Sequence, residues 1–264
     1  MTVFGEKKEI TIRGLRIGAG LPKICVPLSG EREETLMEQL RILSDVPFDM
    51  AEWRVDFFSA WKMEEQRLAM SAKIRAFLGD KPLLLTFRTR REGGAADIAP
   101  DAYAALCREF AKDPNADLID LEYFTLPEDS MRSLVEEIHA QGKYVVGSSH
   151  DFQATPQTEE MIRRLRAMQE LDMDITKLAV MPQNKTDTLR LLEAAVKMEE
   201  IYANRPCITI AMGDKGAVSR AIGSFTGSAV TFGSAGVSSA PGQYPAARLK
   251  TILELLAQGT SEEA

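Results

Sequence analysis

Apolar residues along this chain fall into eight short runs, separated by longer stretches in which they recur every three or four positions. The runs are PKICVPL (22–28), FDMAEWRVD (48–56), PLLLTFRT (82–89), DLIDLEY (117–123), YVVGSSHD (144–151), ITKLAVM (175–181), CITIAMG (207–213) and SAVTFG (228–233). Their lengths predict strands. The stretches between them, such as ETLMEQLRILS, PEDSMRSLVEEIHAQGK and TPQTEEMIRRLRAMQELD, carry the period of amphipathic helices. Glu128 and Asp129 after Pro127, and Glu159 and Glu160 after Thr158, put acidic residues in first turns, where the helix dipole favours them. Eight strand–helix units in 264 residues predict a (β/α)8 barrel of the α/β class. An open doubly wound sheet competes, but its central strands bury apolar residues on both faces, and here strand interiors carry charges. Neither GxGxxG nor a Walker A sequence occurs, and GAG (18–20) precedes a strand instead of following one. Residues 9–17, EITIRGLRI, predict a short β-hairpin with Gly14 in its turn, closing the barrel floor. One domain, 1–264, is expected, with the hairpin in 1–20 and the barrel in 21–264.

Alternate residues of a barrel strand face the axis, and active sites form at the carboxyl ends. That rule puts Glu52, Arg54 and Asp56 on one face, then Thr86 and Arg88, Asp120 and Glu122, Ser148 and His150, and Lys177 with Ala179 and Met181. Five consecutive strands thus aim polar or ionisable groups at a common centre. Burying so many charges is costly, which favours a polar active site over a purely structural ion-pair network. Lys177 stands between Ile175 and Val180, and desolvation with Arg54 and Arg88 nearby disfavours its ammonium form. An amine so placed attacks carbonyls to form a Schiff base, although a lysine that merely pairs with a carboxylate fits this stretch equally well. The chain has two histidines. His139 lies near a helix C-terminus and reads as solvated, whereas His150 ends a strand beside Glu122 and Lys177 and reads as the general acid/base.

Net charge is −7, which argues against nucleic acid or an anionic membrane as partner. A small anionic substrate remains possible if arginines are locally placed. Cys25, Cys107 and Cys207 form no CxxC pair and no Cys/His metal spacing, so reduced thiols and no metal are expected. The N-terminus, MTVFGEKKEITIRG, lacks the apolar core of a signal peptide. The uncharged run 221–247 holds Gly and Ser throughout with Pro241 and Pro245, so it reads as a strand between loops, not a membrane span. A cytoplasmic location is expected.

Six motifs in order complete the reading: EWRVD (52–56), TFR (86–88) followed by REGG (91–94), SSHDFQATP (148–156), KLAVMPQ (177–183), GAVSR (216–220) and SAPGQ (239–243). With these the chain resembles the type I 3-dehydroquinate dehydratases from about Leu21 to Gly259. The resemblance implies a lyase that dehydrates 3-dehydroquinate in the shikimate pathway through a lysine Schiff base, on a (β/α)8 barrel, as a homodimer without metal or cofactor. By position it implies Lys177 as the imine-forming amine, His150 as the proton shuttle and Glu92 as the partner that orients His150. It further implies that Glu52, Arg54, Arg88, Arg220, Ser239 and Gln243 hold the substrate's carboxylate and hydroxyls. The segment 233–243 is expected to close over substrate. Some members carry a serine where this chain has Pro27, so no substrate contact is assigned there. Two alternatives are a Schiff-base aldolase of the same fold, disfavoured by side chains suited to carboxylate rather than phosphate, and a non-catalytic small-molecule sensor.

Overall fold

A computed structural model describes residues 9–236 and 240–258. The hairpin comes first, as β1 (Ile10–Ile12) and β2 (Leu15–Ile17). Then follow β3 (Lys23–Leu28), α1 (Glu33–Leu43), β4 (Met50–Arg54), α2 (Glu64–Leu78), β5 (Leu83–Thr86) and α3 (Pro100–Lys112). The middle of the chain forms β6 (Leu118–Glu122), α4 (Glu128–Ala140), β7 (Tyr144–Asp151), α5 (Thr158–Glu170), β8 (Ile175–Val180) and α6 (Lys185–Lys197). Next come β9 (Cys207–Ala211), the single-turn helices α7 (Gly213–Gly216), α8 (Val218–Ala221) and α9 (Gly223–Thr226), β10 (Val230–Phe232) and α10 (Ala246–Gln258). All eight predicted strands and the hairpin are present.

β3 to β10 form one parallel sheet in the order β10-β3-β4-β5-β6-β7-β8-β9. The residue before β10 nearly closes it: Ala229 N donates to Cys207 O at 2.7 Å, and Lys23 N donates to Ala229 O at 2.9 Å. The result is the (β/α)8 barrel that the rhythm of runs and helices predicts. Outward strand residues such as Val26, Trp53, Leu85, Ile119 and Leu121 pack against Leu36, Leu40, Ile74 and Leu134 of the helices. Each such side chain contributes about 1.5–3 kcal/mol by leaving water.

Inward residues at the strand starts, Met50, Leu84, Leu118, Val146, Ile175 and Ile208, form a separate apolar cluster with Ile12 and Ile17 of the hairpin. The hairpin therefore closes the barrel floor. Arg13 and Gly14, at φ of 48° and 80°, make the kind of two-residue turn whose twist suits paired strands. Arg13 Nε donates to Asp117 Oδ1 at 2.7 Å and pins the turn to the foot of β6. Proline is rare inside sheets because it lacks an N–H. Pro27 is tolerated because β10 has already ended at Phe232, opposite Cys25. Among the described residues no helix is long and apolar enough to cross a membrane.

Candidate active site

Above the apolar floor, the inward positions turn polar. β4 supplies Glu52 and Arg54, β5 supplies Thr86 with Arg88 just beyond it, β6 supplies Asp120 and Glu122, β7 supplies Ser148 and His150, and β8 supplies Lys177. A cavity of about 270 Å³ opens at this end of the barrel. Its walls include eight of the nine residues expected to form the site: Glu52, Arg54, Arg88, Glu92, His150, Lys177, Arg220 and Gln243. Ser239 lies outside the described residues. Pro27, to which no substrate contact was assigned, also lines the cavity.

Lys177 is 4% exposed, and its Nζ lies 3.4 Å from Glu52 Oε1 and 3.5 Å from Asp120 Oδ2. The Phe232 ring packs beneath it, with Nζ 4.5 Å from the centroid. The fold thus sets two carboxylates, one from β4 and one from β6, against this amine. Burial alone penalises an ammonium, and these anions together with an aromatic face compensate its charge.

His150 Nδ1 lies 3.0 Å from Glu92 Oε2, and the His150 backbone N–H donates to the same oxygen at 3.0 Å. Glu92 sits in a short helical turn, 90–92, that follows the arginine-bearing end of β5. Burial pushes its carboxyl up to about 8; the Arg88 guanidinium opposes this, while Glu122 and Asp120 add to it. Burial, followed by the positive charges of Arg88, Lys177 and Arg54, holds His150 well below its ordinary 6.5. The imidazole therefore favours its uncharged form, and the carboxyl beside it is one with a raised pKa.

The arginines divide by partner. Arg54 grips Asp56 with two 2.8 Å bonds, and Asp56 in turn accepts from the backbone of Arg88 and Ala95. Arg88 donates to Asp120 at 2.7 Å, to Ser148 at 2.9 Å and to Glu122 at 3.2 Å. Burial works against its charge, but Asp120, Glu122 and Glu92 outweigh it and hold the Arg88 guanidinium well above its ordinary pKa. Arg220, on α8, differs. No carboxylate among the described residues pairs with it, its Nε has no hydrogen-bond partner, and Nη2 donates to Pro241 O at 3.2 Å. Burial lowers its guanidinium to about 10. The planar guanidinium fork has the geometry that pairs with a carboxylate through two hydrogen bonds.

Pro241 O also accepts from Gly213 N at 3.2 Å, which ties the far end of the 233–243 segment to the start of α7. Gly242, at φ of 74°, packs so tightly on Gly213 that a Cβ there would lie 2.4 Å from the Gly213 carbonyl oxygen. Ala240, Pro241 and Gln243 reach the cavity wall. Residues 237–239 of the 233–243 segment that was expected to close over substrate lie outside the described residues.

His139 corrects an expectation. It is not simply solvated: Nε2 lies 2.8 Å from Asp174 Oδ2, and that bond leads the forces raising its pKa. Asp120 is a buried charged residue of this site to which the sequence assigned no role. The alternation in LIDLE turns it inward, but nothing in the sequence pairs it with Arg88, Ser148 and Lys177. Among the described residues no group of three or more His, Cys, Asp or Glu side chains could hold a metal ion.

The chain is similar in sequence and in fold to known proteins of one family. The model of the type I 3-dehydroquinase family matches residues 24–260. A 3-dehydroquinate dehydratase of Syntrophotalea carbinolica is 47% identical over 94% of this chain and 97% of its own length. One from Bacillus licheniformis is 45% identical over 95% and 98%. A type I 3-dehydroquinate dehydratase of Clostridium difficile, solved with covalently modified comenic acid, superposes with a TM-score of 0.92 at 41% identity, covering 96% of this chain and 99% of that one.

Proposed function

The chain belongs to the type I 3-dehydroquinase family, and from that premise we propose that Lys177 forms the imine through which it dehydrates 3-dehydroquinate to 3-dehydroshikimate in the shikimate pathway. The Lys177 nitrogen adds to the substrate ketone and water leaves, giving a protonated imine. That cation withdraws electrons more strongly than the ketone, so a proton on the adjacent carbon becomes removable. His150, uncharged at neutral pH and held at Nδ1 by Glu92, takes that proton. The resulting enamine expels the β-hydroxyl as water, with His150 returning the proton, and hydrolysis of the imine releases product. Arg220 captures the substrate carboxylate, with Ser239 and Gln243 beside it. Glu52, Arg54 and Arg88 bound the end of the cavity where the hydroxyls lie. No metal or cofactor takes part.

The observation that carries this reading is the meeting in one cavity of a buried amine, an uncharged imidazole and an arginine with no carboxylate of its own. Adding 3-dehydroquinate to the enzyme, with and without EDTA, tests it. Ultraviolet absorbance should grow equally in both as the conjugated product forms; loss of the signal in EDTA that added metal restores would overturn the metal-free mechanism.

The barrel and its hairpin act as one domain of a homodimer. Val218, Phe225, Leu255 and Leu256 are exposed apolar residues on α8, α9 and α10, and α10 packs against both of the others. A face of this kind supports pairing with a second copy, which sedimentation would reveal as a doubled mass. The net charge of −7 supports a cytoplasmic protein that acts on a small molecule and binds neither nucleic acid nor membrane.

A further inference from the structure

Two carboxylates face the Lys177 nitrogen, and they are not equivalent. Glu52 lines the cavity, and its Oε1 also accepts from Thr86 Oγ1 at 2.8 Å. Asp120 is absent from the cavity wall and its side chain is wholly inaccessible to solvent. It therefore does not border the cavity that Glu52 and Lys177 line. Its Oδ1 is fully engaged, accepting from Arg88 Nη2 at 2.7 Å and from Ser148 Oγ at 2.6 Å. Its Oδ2 accepts no hydrogen bond and lies 3.5 Å from Lys177 Nζ. A buried carboxylate oxygen left without a partner is costly unless something cationic stands against it.

We propose that Asp120 is the standing counter-ion of the Lys177 nitrogen, fixed by Arg88 and Ser148 so that Oδ2 stabilises the protonated imine from outside the cavity. This rests on the reading of Lys177 as the imine-forming residue. The balance of the step explains why such an anion is useful. An ammonium and a ketone give an iminium and one water, so the nitrogen carries a single positive charge before and after the bond forms. Substrate entering the cavity competes for Glu52 but cannot reach Asp120. The Asp120 charge is therefore in place when the iminium appears, with no reorganisation needed at that moment. Arg88 gains a second role, holding the carboxylate that holds the amine. Ser148, which sequence alternation turned inward without a function, sets the angle of that carboxylate.

The test is Asp120→Asn, which keeps the shape and removes the charge. Turnover should fall by about 10²-fold, the usual loss when one preorganised electrostatic group is removed. KM should stay within a few-fold, because Asp120 does not touch the cavity. Rapid-quench trapping with borohydride should show slower build-up of the Lys177 adduct in the variant than in the unaltered enzyme. An unchanged kcat, or a loss confined to KM, would overturn the proposal. So would a lowered melting temperature with normal turnover per folded molecule, because that is what a purely structural aspartate gives. If the unaltered enzyme traps substrate on another lysine, the reading of Lys177 fails instead, and the two failures are distinct. A crystal structure of the unaltered enzyme carrying the reduced adduct applies even if Asp120→Asn does not fold. The adduct nitrogen should stay within hydrogen-bonding distance of Asp120 Oδ2, and withdrawal beyond reach would refute the counter-ion role.

Discussion

His150 and His139, the chain's two imidazoles, are pushed in opposite directions by their surroundings. Burial and three cations keep His150 neutral, whereas the bond to Asp174 favours the charged form of His139. His150→Ala should therefore cut turnover by about 10²–10⁴-fold, the range for lost acid–base catalysis. His139→Ala should leave turnover unchanged. It should lower the melting temperature more at pH 6 than at pH 8, because a raised folded pKa gives stability that is present below 6.5 and lost as pH rises through it. Equal kinetic defects in the two variants would contradict this division. Glu92 gives a second pH signature. Its pKa rises from 4.5 to about 8 on folding, so its contribution to stability is full below 4.5 and is lost as pH climbs through about 8. His150, with its pKa depressed, acts in the opposite window, contributing above 6.5 and losing that contribution as pH falls. Glu92→Gln removes only the first of these. Relative to the unaltered enzyme, its melting temperature should improve steadily from pH 6 to pH 9. A constant difference across that range would mean Glu92 does not titrate there.

Elements place these residues with the accuracy the chemistry needs. β8 carries Lys177, and the chain then turns into α6, whose start is held by a reciprocal cap. Asn184 Oδ1 accepts from Asp187 N at 3.0 Å, and Asp187 Oδ2 accepts from Asn184 N at 3.4 Å and from Gln183 N at 2.8 Å. Asn184→Ala should lower unfolding stability by about 1 kcal/mol, as typical for a lost cap, with little change in turnover because the lysine is set by the barrel. A turnover loss as large as that of His150→Ala would show that the cap positions the site. The strands themselves were legible because barrel strands alternate: MAEWR, LLLT, LIDLE, VVGSSH and ITKLAV announce their inward polar residues by spacing of two. The hairpin was legible from Gly14 between two apolar triplets. Partners were not legible. Glu52 meets Lys177 across 125 positions of chain, Asp174 meets His139 across 35, and strand spacing alone fixes neither distance.

At the scale of the whole molecule, the barrel is an apolar floor carrying a polar upper storey. Ile12 and Ile17 seal the bottom with the strand-start residues, so the charges above them are held in a confined space. The six sequence motifs come from six strands and the loops after them, and only closure of the sheet brings them to one cavity. This explains why motif order identified the family while the surroundings of each residue waited on the fold. Closure also brings Glu52 and Asp120, from two other strands, to within 3.5 Å of Lys177 Nζ. All of this converges on one covalent bond. Borohydride added during turnover with 3-dehydroquinate should reduce the imine, inactivate the enzyme and leave the substrate skeleton attached, by mass spectrometry, to Lys177. Lys177→Ala should fold normally, turn over no substrate and carry no adduct. An adduct on any other lysine, or a Lys177→Ala enzyme that still dehydrates 3-dehydroquinate at a comparable rate, would contradict the account.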